Sequence, residues 1–273
     1  MNFLQGIEYE KAVENIRSHL FGYITKFKLG SLIIGISGGI DSSLAVALAR
    51  PVCDELSIPL MGRSITIESN KPDEILRSEA IGGEFCTDFA LTDLTMLYNE
   101  MKTILGAGHG AEESEEQAKI RLGNSKARIR MIYLYNLAQK HKGLVLSTDN
   151  YTELLLGFWT LHGDVGDYGM IQNLWKTEVY GMAQYLADSE IKHNAKKSAI
   201  YSCIDATPTD GLGISNSDLD QLGTSSYAEV DEILIEYLAT GKNKSHSVIQ
   251  RHLRSEFKRN NPFNISRYDI LAR

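Results

Sequence analysis

Cysteine, proline and long apolar runs are all scarce in this 273-residue chain, and each shortage argues against a class of protein. The three cysteines, Cys53, Cys86 and Cys203, lie far apart with no CxxC pair. That spacing argues against a disulfide framework or a thiolate metal site and predicts buried or idle thiols. Five prolines and no visible repeat leave no obvious interdomain linker, so one domain over residues 1–273 is expected. No stretch reaches the roughly 18 consecutive apolar residues of a membrane helix. The best run, LIIGI, is cut off by SGG. The first residues, MNFLQGIEYEKAVENIRSHL, carry acids where a secretory signal has a basic start and an apolar centre, so a cytoplasmic protein without membrane contact is expected. Positive charge is also short. A net charge of −7 argues against a nucleic-acid partner gripped by clustered Lys and Arg.

What is present is the composition of an ordinary globular protein. With 43% apolar residues the chain can build a sizeable core. Ile7, Val13, Ile16, Leu20 and Ile24 are spaced for a helix over 8–27, and 32–36 is a β-branched run that breaks at glycine. A helix follows the glycines and is expected to stop near Pro51. Strands are expected at 60–65, 85–89 and 144–147. Helices are expected at 91–105, 116–141, 151–157, 176–188, 226–240 and, as one basic amphipathic helix, 244–259. This alternation predicts an α/β fold, a parallel sheet sandwiched by helices. The segment GAGHGAEESEE at 106–116 has no apolar face and reads as a mobile loop. The segment 201–225 shows little helical periodicity and reads as a second one.

The sharpest local feature is Gly35-Ile36-Ser37-Gly38-Gly39-Ile40-Asp41-Ser42-Ser43, between a predicted strand and a predicted helix. Adjacent glycines let backbone approach a ligand, and N–H groups at a helix start favour an anion, most simply a phosphate. An acid in such a turn suits a phosphate only with a cation such as Mg²⁺ between them. The segment is neither a Walker A loop nor GxGxxG. A purely structural turn remains an equal reading of these residues alone.

SGGIDS resembles the SGGxDS pyrophosphate loop of the N-type ATP pyrophosphatases. Downstream, RLGNSKARIRMIYLY, LSTDNYTELLLGFWT, GDVGD, WKTEV, PTDGLG and FKRNNP resemble, in order and over nearly the whole chain, segments of the ammonia-dependent NAD synthetases. That resemblance implies an adenine nucleotide alpha-hydrolase-like fold. It also implies a ligase that uses ATP to amidate deamido-NAD with ammonia through an adenylate, releasing AMP and pyrophosphate. Gly35, Ile36, Ser37, Gly38, Gly39, Ile40, Asp41 and Ser42 would hold the ATP phosphates, with Lys176 and Thr209 closing over them and Arg63 and Thr148 also touching ATP. Asp41, Lys176 and Thr209 would be the catalytic set, and Asp41 and Glu153 would hold Mg²⁺. Deamido-NAD would meet Asn124, Arg128, Leu144, Phe158, Asp167 and Lys258. Tyr23 and Tyr135 would reach the site of the partner subunit in a homodimer.

The sequence departs from the family pattern in places. Leu161 stands where many members have a Lys that meets deamido-NAD, Met170 replaces a common Pro, and Phe257 stands where a His often precedes Lys-Arg. The residues also have plainer readings. Arg121, Arg128 and Arg130 suit a solvated face paired with the preceding acids, and Asp149, Glu153, Asp164 and Asp167 sit where acids commonly cap helices and turns. With the resemblance, all but Asp149, Trp159 and His162 move toward the site. Two rivals stay open: another ATP pyrophosphatase, such as a tRNA-modifying ligase, and a non-catalytic ATP-binding module. No second domain for glutamine hydrolysis is visible, so free or delivered ammonia is the expected nitrogen source.

Overall fold

Alternation within two four-residue strands sets the architecture. In a computed structural model, which describes residues 6–68, 71–106, 113–207, 219 and 222–271, β1 (Leu32–Gly35) sends Leu32 and Ile34 to one face and Ile33 to the other. β4 (Leu144–Ser147) divides its residues alike, Leu144 and Leu146 against Val145. A strand that is apolar on both faces needs cover on both, the signature of a parallel sheet between helix layers. Leu32 lies opposite Leu144 on one flank and Leu60 of β2 (Leu60–Thr66) on the other. β3 (Asp88–Asp93) and the short β5 (Tyr168–Gly169) complete the sheet in the order β3-β2-β1-β4-β5, every pair parallel.

On one face lie α1 (Tyr9–Phe27), α2 (Ile40–Leu56), α3 (Pro72–Phe85), α7 (Lys176–Tyr185) and α8 (Asn194–Ile204). Their shared core includes Leu20, Leu44, Leu48, Ile81, Val179 and Ala199. The other face is covered by α4 (Thr95–Gly106) and α5 (Glu115–Lys140), with Tyr98, Ile129, Met131 and Leu134 over Ile33 and Val145. A third apolar cluster joins α6 (Tyr151–Leu156), α9 (Tyr227–Thr240) and α10 (Ser247–Arg254) around Trp175 and Leu234. The short α11 (Glu256–Arg259) and α12 (Arg267–Leu271) follow.

Several expected boundaries move. α2 runs through Pro51 to Leu56, because Val52 and Cys53 are buried on the next turn and packing outweighs the missing N–H. Phe85 is the buried end of α3, and the strand begins at Asp88, where pairing with Met61 starts and runs to Asp93. The helix expected from 91 therefore starts only at Thr95. The single basic helix expected at 244–259 is two, broken at Ser255, whose hydroxyl donates to the Leu155 and His252 carbonyls. α7 gives way to a π-helical turn over Leu186–Glu190. Helices α3 and α8 have no counterpart in the sequence reading. Among the described residues no helix is long and apolar enough to cross a membrane. Most of both segments read as mobile loops, 107–112 and 208–218 included, lies outside the described residues.

β1 is the hinge of the strand order. The chain passes from β1 outward to β2 and β3, then returns to the opposite side of β1 with β4. At such a reversal the loops leaving the two carboxyl ends turn apart and open a crevice. Here those loops are Ile36–Gly39 and Thr148–Asn150.

Candidate active site

The loop after β1 is held by its own side chains. Ser37 Oγ accepts from the Gly39 N–H at 3.1 Å, and Ser42 Oγ donates to the Gly39 carbonyl at 3.1 Å while accepting from the Ser37 N–H at 3.3 Å. Ser43 Oγ reaches the same carbonyl at 2.8 Å. Gly38 has φ of +79°, and a Cβ there would sit 2.3 Å from the Glu74 carbonyl oxygen. Both facts demand glycine. Arg77 Nε donates to the Gly38 carbonyl at 2.9 Å, so α3 backs the turn. Asp41, in the first turn of α2, faces the opening loop after β4.

That second loop carries a reciprocal cap. Asn150 Oδ1 accepts from the Glu153 N–H at 3.0 Å, and Glu153 Oε2 accepts from the Asn150 N–H at 3.3 Å. Asn150 Nδ2 is left free to donate to Asp41 Oδ1 at 2.8 Å, which ties the two loops together. Lys176, at the start of α7, completes the join. Its Nζ lies 2.5 Å from Asp41 Oδ2 and 3.1 Å from Glu153 Oε1, with only 4% of the side chain exposed. Burial works against this ammonium, yet the charges of Asp41 and Glu153 outweigh it and hold its pKa well above the ordinary lysine value. The Tyr227 ring, 5.2 Å from Nζ, covers it from α9.

A cavity of about 460 Å³ opens over these groups, within the range of small-ligand sites. Gly35, Ile36, Ser37, Gly39, Ile40, Asp41, Ser42, Arg63, Thr148, Glu153 and Lys176, all expected at ATP or its metal, line it. The Arg63 guanidinium is anchored on Asp88 Oδ2 at 3.0 Å. Thr209 lies outside the described residues. Asn124, Phe158 and Lys258, expected at deamido-NAD, line the same cavity. Asn124 accepts from Thr160 Oγ1 at 2.6 Å, Lys258 Nζ donates to the Gly157 and Trp159 carbonyls, and Arg251 lies 4.0 Å over the Phe158 ring.

The other expected acceptor residues gather elsewhere. Tyr135 OH donates to Asp167 Oδ1 at 2.9 Å, and Asp167 Oδ2 accepts from the Val145 N–H at 3.0 Å, beside the buried Leu144. Tyr23 packs on Tyr168 at 4.8 Å. These four stand at the β4–β5 edge and are not part of the cavity wall. Arg128 is exposed on α5 and donates to the Leu161 carbonyl at 3.2 Å. Arg121 pairs with Glu113 at 2.6 Å, the solvated pairing that its neighbouring acids suggest.

Sequence reasoning set aside two residues that line the cavity, Asp149 and Trp159. Burial, reinforced by the charge of Asp164, pushes Asp149 up to about 7, although Ser147 Oγ donates to it at 2.7 Å. Burial likewise pushes Asp164 up to about 6, and burial together with the Asp41 charge pushes Glu153 up to about 8. Arg130, on the same wall, has its pKa lowered by burial. Arg130, Glu153 and Asp164 lie in segments that carry the family resemblance; that they meet Asp149 and Trp159 on one wall is tertiary, since the five come from α5, α6 and the loops on either side of α6. The thiols behave as expected: Cys53, Cys86 and Cys203 are free, and burial pushes all three up.

Comparison with known proteins bears directly on this arrangement. The "NH(3)-dependent NAD(+) synthetase" of Thermoplasma acidophilum is 32% identical over 267 residues, covering 95% of this chain and 98% of that protein. The solved NMN synthetase of Francisella tularensis superposes with a TM-score of 0.78 at 23% identity, over 96% of this chain and 100% of that one. The NAD+ synthetase of Burkholderia pseudomallei gives 0.71 at 24% identity, over 94% and 92%. Both share the adenine nucleotide alpha-hydrolase-like fold. The model of the NAD synthase family matches residues 12–262, from the first helix past the last cavity-lining lysine, and the chain belongs to that family.

Proposed function

We propose that the chain, acting as one domain, uses ATP to amidate deamido-NAD with ammonia, giving NAD, AMP and pyrophosphate. One observation carries this reading: a buried ammonium, Lys176, bridges the glycine loop after β1 and the acid after β4 at the floor of a cavity. A carboxylate is a poor acceptor for an amine until it bears a good leaving group. In the first step a nicotinate carboxylate oxygen attacks the α phosphorus and the bond to the β-phosphate oxygen breaks. Ammonia then attacks the acyl carbon, AMP departs with the bonding electron pair, and the surplus proton leaves with solvent. The protein supplies positioning and charge, with no covalent nucleophile. Backbone N–H groups at the start of α2, Ser37 and Ser42 hold phosphate oxygens, and Lys176 offsets charge on the pyrophosphate as it leaves.

Asp41 and Glu153 would hold Mg²⁺: they offer two carboxylates beside the glycine loop, where Lys176 bridges them. Mg²⁺ commonly takes one or two carboxylates and completes its shell with phosphates and water. When bound it would neutralise phosphate charge. Tyr23 and Tyr135, which stand at the β4–β5 edge, support a homodimer in which that edge meets the partner's site. Cytoplasmic residence agrees with both substrates being soluble nucleotides.

A second acceptor, nicotinic acid mononucleotide, is favoured by a specific observation. Leu161 stands where many members of the family have a lysine that meets deamido-NAD. Assays of amide formation with each acceptor, and with ammonium against glutamine, test both readings. Amidation of deamido-NAD with ammonium is the expected result. Selective use of the mononucleotide moves the reading to the second acceptor, and pyrophosphate release with neither overturns it.

A further inference from the structure

Asp231 lies on α9, 54 residues beyond Thr177, and belongs to none of the segments that point to the site. It is 2% exposed. Its two carboxylate oxygens are both spent on the residues that flank the functional groups. Oδ1 accepts from Thr152 Oγ1 at 2.5 Å, and Thr152 is the neighbour of Glu153. Oδ2 accepts from the Thr177 N–H at 2.9 Å and from Thr177 Oγ1 at 2.8 Å, and Thr177 is the neighbour of Lys176. Thr152 Oγ1 in turn accepts from the Lys176 N–H at 2.9 Å. The carboxylate thus satisfies the Thr177 N–H at the start of α7, while Thr152, which it holds, satisfies the Lys176 N–H and locks α6 to α7, a place where a negative charge also meets the helix dipole.

The same helix supplies a second hold. Tyr227 precedes Asp231 by four residues, so both lie on one face of α9. That face presents the Tyr227 ring to the Lys176 ammonium and the Asp231 carboxylate to the Thr177 backbone N–H. We propose that Asp231 is a positioning residue for the reaction: it fixes the spacing between the Lys176 ammonium and the Glu153 carboxylate by clamping Thr177 and Thr152. The inference rests on the functional reading for what the pair does, and on the hydrogen bonds for how the pair is held.

The test is Asp231→Asn in the wild-type and Lys176→Met backgrounds, with Thr177→Val as a milder companion that keeps the backbone bond. Asparagine presents one acceptor and one donor where three donors converge, so one flank must be released. In the wild-type background kcat should fall tenfold to a hundredfold and Mg·ATP affinity, measured by calorimetry, at least threefold, with KM for the acceptor within about twofold. In the Lys176→Met background the same substitution should change kcat and Mg·ATP affinity less than twofold. Thr177→Val should show the same non-additivity at smaller size, and Thr177→Ser should restore activity. Equal losses in both backgrounds, tracking a loss of thermal stability, would reduce Asp231 to scaffold and overturn the proposal. If the wild-type protein amidates neither acceptor, the functional reading fails. The calorimetric arm still decides on Asp231.

Discussion

Replacing Lys176 by Met removes a cation from between two carboxylates that are each 18% exposed, while keeping most of the side-chain volume beside Tyr227. The wild-type ammonium lies 2.5 Å from Asp41 and 3.1 Å from Glu153, with 4% of its side chain exposed. Breaking a buried ion pair from one side typically costs about 3–5 kcal/mol, because the remaining charge stays desolvated. At about 2 °C per kcal/mol for a chain of this size, the midpoint of thermal unfolding should drop roughly 6–10 °C at pH 9. The sign of the pH effect follows from linkage. Glu153 already titrates at about 8 through burial and the Asp41 charge, and the Lys176 charge is what pulls it down. Without the ammonium the folded Glu153 carboxyl holds its proton to still higher pH, so the two proteins share one protonation state below about 8 and part above it, where only the wild type gains the ion pair. Unfolding scans at pH 6 and pH 9, with and without millimolar Mg²⁺, check this. The deficit should be smaller at pH 6 than at pH 9, and Mg²⁺ should restore part of it at pH 9. A deficit that is the same at both pH values and indifferent to Mg²⁺ would refute the view that these carboxylates need a resident cation.

Three further outcomes are expected. Gly38→Ala should cost at least about 1–2 kcal/mol for the backbone alone, and more because the new Cβ would meet the Glu74 carbonyl at 2.3 Å and press α3 off the loop; unchanged denaturant stability and ATP affinity would count against the tight turn. Asp149→Asn should stabilise the protein at pH 8 and leave it nearly unchanged at pH 4. The folded acid, raised to about 7 by burial, loses stability as pH rises from about 4 through 7, and the amide does not; a pH-independent effect in matched unfolding scans would contradict this. Arg128 is outside the cavity lining, so Arg128→Ala tests the pyridine-nucleotide contact that the family resemblance alone implies: loss of a charge-assisted contact should raise KM for the pyridine nucleotide roughly ten- to a hundredfold and leave KM for ATP unchanged. Equal effects on both substrates in steady-state kinetics would return Arg128 to an exposed residue that only holds the Leu161 carbonyl.

Much of the glycine-loop half of the cavity was legible because it is local. A β-branched run, two glycines and an acid-bearing helix start are contiguous, and the structure places them as β1, a turn closed by Ser37 and Ser42, and α2. The Asn150–Glu153 cap after β4 is equally local, three residues apart, but the sequence reading gave only the helix it starts. The strand–helix alternation identified a parallel sheet for the same reason: periodicity reports which faces are apolar, and faces decide layers. Boundaries were less legible where packing overrode a local rule, as at Pro51, or where a strand edge was set by a partner strand, as at Asp88.

What the sequence determined by itself is therefore the set of pieces: a glycine turn at 35–43, a helix over 151–157 after the strand at 144–147, a lysine opening α7 and an α/β frame to carry them. Tertiary structure alone decided how they meet. The reversal of strand order at β1 brings Asp41 and Glu153, 112 residues apart, onto one ammonium. It turns Asp149, an ordinary loop acid in sequence, into a carboxyl that titrates at about 7, and it makes Asp231 the anchor of two helix starts. The reason is physical. Helix and strand preferences act over a few residues, whereas desolvation and charge coupling depend on what is near in space, and that exists only once the chain is folded.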